Sequence, residues 1–276
     1  SWPTRNSKTS EIVGNPGSPS VMVAAKGSSR PLGLMEPHLI DDLAYKETFY
    51  WWHRVRRHNL FRLLSARIGP SARVLEIGCG TGANLREGGE RWIAGIGVDL
   101  EMRALAYCRD LAVVQADALA MLPFADSTFD AVVLLDVLEH LAEPGVLVQE
   151  MGRVLRQGGS VVIMVPAGPE LWSYWDEMLG HQRRFTKATL ASVFGEGWML
   201  EALEYSFSWM YPIVWGFRQF MQRRRRPSAH SDFIEIPRVL NSLQVVLGRI
   251  EGRTQKYVSA PFGTTLCGVW LKDGVL

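Results

Sequence analysis

The strongest chemical signal in the chain is the run Val74-Leu75-Glu76-Ile77-Gly78-Cys79-Gly80-Thr81-Gly82. An apolar stretch enters a turn with Gly at every second position. Gly takes positive φ without strain and lets a ligand approach the backbone with no Cβ in the way. A helix starting there presents free N–H groups. The spacing is G-x-G-x-G, not the G-x-G-x-x-G that cradles a pyrophosphate. Asp99 closes the next apolar run beyond Gly82, where an acid can accept both hydroxyls of a ribose. Asp117 closes a third run, in Gln115-Ala116-Asp117-Ala118, and can accept from an adenine amino group. These groups describe a site for a nucleotide-like ligand at three successive strand ends.

The elements that must position them alternate. Strands are expected at Arg73–Ile77, Ile93–Asp99, Leu111–Asp117, Phe129–Asp136 and Ser160–Val165, with helices near 82–91, 101–109 and 144–156 between them. Leu147, Met151, Val154 and Leu155 share one face of the last helix, and Gly158-Gly159 ends it. Runs such as Ala131–Leu135 and Val161–Val165 are continuously apolar, as strands buried on both faces of a parallel sheet are. Strand and helix in alternation predict an α/β, doubly wound, mostly parallel seven-stranded sheet of Rossmann-like form. Pro37–Ile68 reads as helical, with Trp52, Val55, Leu60, Leu63, Leu64 and Ile68 as its buried stripe and an irregular patch at Arg56–Asn59. Trp198–Phe207 and Thr264–Lys272 complete the strands.

Composition bounds the class. The chain has 276 residues, 47% apolar and 21% charged, with a net charge of +2. This excludes a collagen, a coiled coil and a wholly disordered chain, and it gives no general argument for nucleic-acid binding. No apolar run is long enough for a transmembrane helix. Cys79, Cys108 and Cys267 fit no zinc spacing and read as reduced thiols of a cytoplasmic protein. Residues 1–34 contain seven Ser, four Gly and four Pro and read as a tail or a tag, with no signal-peptide h-region.

The runs VLEIGCGTG, GVDLE, QADA and LPFADSTFDAVVLLDVLEHL resemble class I S-adenosylmethionine-dependent methyltransferases, in the branch that includes small-molecule and quinone methyltransferases. The resemblance covers residues 70–166 closely and 40–208 loosely. It implies S-adenosyl-L-methionine as cofactor and S-adenosyl-L-homocysteine as product. It also implies residue roles. Glu76 organises the loop and approaches the methionine end. Gly78, Cys79, Gly80 and Gly82 form the loop, in which Cys79 is packing. Asp99 holds the ribose beside Leu100, Asp117 and Ala118 meet the adenine, and Asp136 faces the methionine part and the acceptor. Asn84 is either a further polar contact or an exposed helix residue.

Methyl transfer from a sulfonium is an in-line displacement that depends on positioning and on exclusion of water. A base matters only where the acceptor must lose a proton. His140, after strand four, and His181, after strand five, are the candidate bases, with structural roles as the alternative. In Trp175-Asp176-Glu177-Met178-Leu179-Gly180-His181-Gln182-Arg183-Arg184-Phe185, Trp175 is a candidate acceptor contact, and Arg183 and Arg184 can hold an anionic acceptor group. Tyr50 and Trp51 lie on the N-terminal helix, which in this family often closes over the cofactor; an aromatic face suits a sulfonium. No His, Asp or Glu cluster stands at metal-ligand spacing, so no metal is expected.

The organisation expected is a tail at 1–34, an N-terminal helical cap at 35–69, a methyltransferase core at 70–208 and 259–276, and a helical insertion or lid at 209–258. The stretch from Ser208 to Gly263, between the last two strands, is far too long for a hairpin loop. Trp209–Met221 is aromatic and apolar and runs into Arg223–Arg226, which together suit a membrane surface. Ile236–Ile250 reads as an amphipathic helix with Leu240, Leu243, Val246, Leu247 and Ile250 on one side. The expected acceptor is therefore a small molecule, lipid-linked where the insertion docks on membrane. Alternatives are a non-enzymatic S-adenosylmethionine-binding module and a nucleic-acid methyltransferase. The second is disfavoured because Asp136-Val137-Leu138-Glu139 stands where an N/D-P-P-Y/F tetrapeptide would. The acceptor atom (O, N or C) and the oligomeric state have no signature in the sequence.

Overall fold

The computed structural model describes residues 37–89, 91, 94–224 and 236–273. The tail expected at 1–34 and Arg225–Arg226 of the cationic run lie outside them. The strands are β1 (Arg73–Ile77), β2 (Ala94–Asp99), β3 (Ala112–Gln115), β4 (Phe129–Leu135), β5 (Leu155–Pro166), β6 (Trp198–Ser206) and β7 (Thr265–Lys272). They form one sheet in the order β3-β2-β1-β4-β5-β7-β6. β1 to β5 are parallel, and β7 runs antiparallel between β5 and β6.

The continuous apolar runs have the expected cause. Alternate residues of a strand face opposite sides of the sheet. Leu75, Val132, Val161 and Ile163 pack on one face with Leu147, Met151 and Val154 of α5 (Pro144–Val154). Val74, Val133, Val162 and Met164 pack on the other with Leu60, Leu63 and Leu64 of α2 (Trp51–Ser65). The short helices α3 (Ala83–Gly88) and α4 (Met102–Leu105) follow β1 and β2.

Three expected boundaries shift. The helix read over 37–68 is two helices, α1 (Pro37–Lys46) and α2, broken where Tyr50 takes an extended conformation. The break is held from both sides. The Thr81 hydroxyl donates to the Glu47 carboxylate, and Arg57 Nη2 donates to the Glu47 carbonyl at 2.6 Å. The helix read over 144–156 stops at Val154, and the Gly pair expected to end it lies inside β5, with Gly158 at φ +69°. β3 stops at Gln115, before Asp117 is reached.

Two short helices follow β5, α6 (Tyr174–Met178) and α7 (Lys187–Ala191). Between β6 and β7 stand α8 (Tyr211–Arg224) and α9 (Arg238–Thr254). α9 lies against α2 through Gly248 and Gly252: a Cβ there would lie 2.5 Å from Val55 Cγ1 and from Asn59 Oδ1 respectively. Asn241 Oδ1 accepts from the Trp51 N–H at 2.8 Å, at the start of α2. The packed face of α9 is thus Val245, Gly248 and Gly252, not the Leu-rich stripe read from the sequence, which is exposed. Close approach of two backbones selects small residues, and a pattern that scores only apolarity overlooks them.

Candidate active site

The Gly-rich turn leaves β1 and enters α3. Gly78, Gly80 and Gly82 have φ of +73°, +53° and +83°, the conformation their type predicts. A Cβ on Gly78 would lie 2.5 Å from Val137 Cγ2 and one on Gly82 2.4 Å from Leu111 Cδ1. A Cβ on Gly80 would meet only Leu43 Cδ2, at an ordinary 3.8 Å. The turn is tied to β2: the Gly78 and Cys79 N–H groups donate to the Val98 carbonyl at 2.7 and 3.1 Å. Asp99, ending β2, accepts from the Gly80 N–H through Oδ2 and from the Glu101 N–H through Oδ1, each at 2.8 Å. Burial raises its carboxyl, and those backbone donors oppose the rise. Beneath the turn Glu76 is buried, and Asn84 Nδ2 donates to its Oε1 at 2.6 Å. Burial pushes the Glu76 carboxyl up to about 8.

A cavity of about 800 Å³ opens where β1, β2, β4 and β5 end, at Ile77, Asp99, Leu135 and Pro166. Strand C-terminal ends are where open α/β sheets bind ligands. Of the residues expected at the site, Gly78, Cys79, Gly80, Asn84, Asp99, Leu100, Ala118, Asp136, His140, His181, Tyr50, Trp51, Trp175 and Arg184 line this cavity. Glu76 and Gly82 stand behind it as supports.

Asp117 and Arg183 are placed outside the cavity lining. The Asp117 carboxylate does not line the cavity; its Oδ1 accepts from the Leu119 N–H at 2.8 Å, so it shapes the turn after β3. Arg183 is also outside the lining and donates through Nη2 to the Ala142 carbonyl at 3.0 Å. Arg184 lines the cavity but is engaged within the protein: Nε donates to Asp176 Oδ1 at 2.8 Å and Nη1 to the Ala167 carbonyl at 3.0 Å. Both arginines thus have partners within the protein.

The acid–base groups gather at the far wall. Asp176, fully buried, is ringed by donors: His181 Nδ1 at 2.9 Å, Arg184 Nε at 2.8 Å and Arg218 Nη1 at 3.2 Å. Burial alone would raise this carboxyl, but the His181 hydrogen bond and the two guanidinium charges outweigh it and hold it at about 2. The His140 and His181 rings meet edge to face, centroids 4.8 Å apart. Burial and the neighbouring His181 push His140 down to about 4, against the pull of Asp136, so it is neutral near pH 7. Glu139, wholly buried, is pushed well above the carboxylate range by burial and by Asp136. Neither of its side-chain oxygens has a hydrogen-bond partner, and Oε1 lies 3.9 Å from His181 Nε2. Glu139, His140 and His181 offer ligand atoms all within 4.8 Å of one another. This group runs against the expectation that no metal-ligand cluster exists. His181 lies far along the chain from the other two, and that separation hides the cluster from any reading of local spacing.

Three other residues go beyond the sequence reading. Arg56 of α2 is buried, pairs with Asp136 Oδ2 at 2.7 Å and stacks over Trp52 at 4.2 Å. The irregular periodicity at Arg56–Asn59 is its trace in the sequence, since polar residues turned inward break an apolar stripe. Arg218, on α8, and the Asp176 carboxylate it meets come together only through the insertion.

Residues 75–163 match the methyltransferase domain family. The demethylmenaquinone methyltransferase of Mycolicibacterium vanbaalenii is 33% identical over 115 residues, covering 41% of this chain and 47% of that protein. The cycloartenol-C-24-methyltransferase 1 of Oryza sativa is 30% identical over 138 residues, covering 42% of this chain and 40% of that one. The chain thus spans less than half the length of these curated relatives. A solved structure of Haemonchus contortus phosphoethanolamine N-methyltransferase 2 with S-adenosyl-L-methionine shares the fold at a TM-score of 0.53 and 17% identity, over 89% of this chain and 62% of that one. Residues 75–163 are therefore a methyltransferase domain similar to those of the class I S-adenosylmethionine-dependent methyltransferases.

The cofactor of the methyltransferases suits the residues present. Gly80 lines the cavity, and with no Cβ its backbone is open to close approach there. Asp99 is a carboxylate beside it, and Leu100, Ala116 and Ala118 supply an apolar floor of the kind an adenine needs. Glu76 and Asn84 put polar atoms under the turn. Cys79 and Cys108 are buried free thiols, a packing role. Among the described residues no helix is long and apolar enough to cross a membrane.

Proposed function

We propose that this methyltransferase moves the methyl group of S-adenosylmethionine to a small, lipid-like acceptor admitted between the core and the insertion. The observation that carries this reading is the outer wall of the cavity. Ile213, Val214 and Phe217 of α8 line it, and Ile213 and Phe217 are also 61% and 49% exposed, so an apolar lining continues to the surface. The names of the relatives, demethylmenaquinone and cycloartenol methyltransferases, support an apolar acceptor.

The cofactor supplies a methyl group on a sulfonium, which leaves no demand for a covalent enzyme intermediate. The chain's own residues bind and orient. In this reading the Gly78–Gly82 turn and Asp99 hold the nucleoside, Leu100 and Ala118 border the adenine, and Glu76 with Asn84 favours the cationic methionine end. Asp136 stands between cofactor and acceptor. His140, neutral near pH 7, has a lone pair at the acceptor wall. Tyr50, Trp51 and Trp175 narrow the cavity and keep water from the transfer.

We read α1 and α2 as a cap and α8 and α9 as a lid over a core of residues 70–208 and 259–276. Val239, Leu240, Leu243, Val246, Leu247 and Ile250 of α9 are all exposed. That face favours a peripheral seat on a membrane, where apolar side chains reach the acyl boundary. The test is turnover with methyl-labelled S-adenosylmethionine and a cell extract, followed by organic–aqueous partition. Label in the organic phase is expected. Label confined to the aqueous phase refutes the lipid-like acceptor, and binding of the cofactor without turnover on any fraction refutes the enzyme reading in favour of a regulatory module.

A further inference from the structure

A carboxylate with no hydrogen-bond partner, wholly shut from water, is rare in folded proteins and calls for a physical cause. Both Glu139 oxygens are in that state, at the wall of a cavity lined by His140 and His181. Several features make the surroundings a ligand set rather than a packing accident. The Oε1 atom of Glu139 faces His181 Nε2 at 3.9 Å, and a His140 ring nitrogen completes a group whose atoms lie within 4.8 Å. Atoms bound at about 2.1 Å to one tetrahedral ion stand about 3.4 Å apart, so closing the set takes a movement of about 0.5 Å at the Glu139–His181 contact and up to about 1.4 Å elsewhere, within the reach of side-chain rotation. His181 is already oriented: Asp176 holds its Nδ1 at 2.9 Å, which turns Nε2 toward Glu139. A carboxylate behind the distal nitrogen is the usual support of a metal-bound imidazole. Asp176 is itself fixed by Arg184 and Arg218.

We propose that Glu139, His140 and His181 bind one divalent transition-metal ion at the acceptor end of the cavity, with Asp176 as the positioning residue behind His181. Two imidazoles and one carboxylate suit zinc, manganese or iron(II) better than calcium or magnesium, and leave open positions toward the cavity. An acceptor oxygen can take one of them, and an ion there orients it and lowers the pKa of its hydroxyl. This role rests on the methyl-transfer reading above and narrows its acceptor to an oxygen-bearing one; the site itself does not depend on it.

The test uses the full chain stripped with chelator and titrated with Co²⁺ alone, followed by its visible bands and by displacement with Zn²⁺. One equivalent of Co²⁺ is expected. Glu139→Gln, which keeps the side-chain shape, and His181→Ala should each weaken it at least about tenfold. Glu139 is outside the cavity lining, so Glu139→Gln should change S-adenosylmethionine affinity, read by calorimetry, by less than about threefold. Should Glu139→Gln fail to fold, His140→Ala serves, because that side chain is only half-buried. Absence of saturable Co²⁺ binding overturns the proposal, as does equal binding by wild type and variants, which would mean a neutral Glu139 carboxyl packed as an apolar group. Loss of cofactor binding with Co²⁺ binding intact would refute the methyltransferase reading and leave the ion site standing; the reverse would refute the ion site alone.

Discussion

Replacing Glu76 by Gln removes a charge and keeps a shape, and the structure sets how much that matters. Glu76 is 3% exposed, one position before the end of β1. Burial dominates its environment; Glu47 and Asp99 add like charge, while the Asn84 amide and Arg56 pull the other way. The balance raises the folded carboxyl from 4.5 to about 8. Between those values the unfolded chain has given up a proton that the folded chain keeps. Stability due to this group is therefore fully present below pH 4.5 and is lost as pH rises toward 8. At about 1.4 kcal/mol per unit the loss is on the order of 3 kcal/mol at pH 7 and 5 kcal/mol above pH 8. Gln has no such dependence, and its amide oxygen can still accept from Asn84. Urea unfolding of the cofactor-free protein from pH 5 to 9 should show the variant gaining on wild type through that window. At about 2–4 °C per kcal/mol, the melting gap near pH 8 should be on the order of 10 °C. With cofactor present the order reverses in binding. A cation near Glu76 favours its charged form, so wild type should release close to one proton on binding at pH 7, seen as a buffer-dependent heat, and the variant none. Parallel stability–pH curves for the two proteins would refute the reasoning.

Other perturbations give distinct outcomes. Gly78→Ala puts a Cβ 2.5 Å from Val137 Cγ2 at φ +73° and should cost at least about 1–2 kcal/mol in unfolding and at least tenfold in cofactor affinity. Asp99→Asn leaves one acceptor for the two N–H groups the carboxylate now holds; calorimetry should show cofactor binding weakened about tenfold or more. Gly252→Val forces α9 off α2 at Asn59 and should lower the melting temperature by several degrees through loss of that packing. Leu243→Glu on the exposed face of α9 should leave melting within about 2 °C but reduce sedimentation with lipid vesicles; unchanged sedimentation would count against a membrane seat.

Much of the sheet was legible because its signals are local. Glycines at positions 78, 80 and 82 state a backbone conformation, and alternate burial on two faces writes a continuous apolar run. Asp99 was legible for the same reason, as an acid at a strand end. The strand end at Asp117 was placed too late because β3 stops at Gln115, so the carboxylate falls in a turn and caps the Leu119 N–H. The partners of Arg183 and Arg184 were not legible, because sequence shows charge but not the group that meets it. The α9 packing face was missed for a related reason: Gly248 and Gly252 matter through what they lack. The Glu139, His140 and His181 group was invisible since its members come from two loops brought together only when β4 and β5 lie side by side.

Asp136 ties these parts together. It follows β4 in the left-handed region at φ +55°, a conformation that costs a non-glycine residue about 1–3 kcal/mol. That conformation persists because both its ends are held: its N–H donates to the Met164 carbonyl of β5 at 2.9 Å, and its carboxylate meets Arg56 of α2 at 2.7 Å. Arg56 is in turn stacked on Trp52, beside Trp51, whose N–H is held by Asn241 of α9. One chain of contacts thus runs from the sheet edge of the cavity through the first helices to the insertion. Displacing α2 would leave Asp136 and Arg56 as separated charges, one strained and one buried, so the cap is costly to open without something to replace the pair. A positively charged cofactor next to Asp136 is such a replacement, which makes binding and cap position two readings of one equilibrium. Arg56→Lys keeps the charge but loses the plane stacked on Trp52. It should loosen α2, detectable as faster amide exchange over residues 51–60 without cofactor, and that difference should shrink when cofactor is bound. Exchange that is equally fast in both states would break the link between Asp136 and the cap.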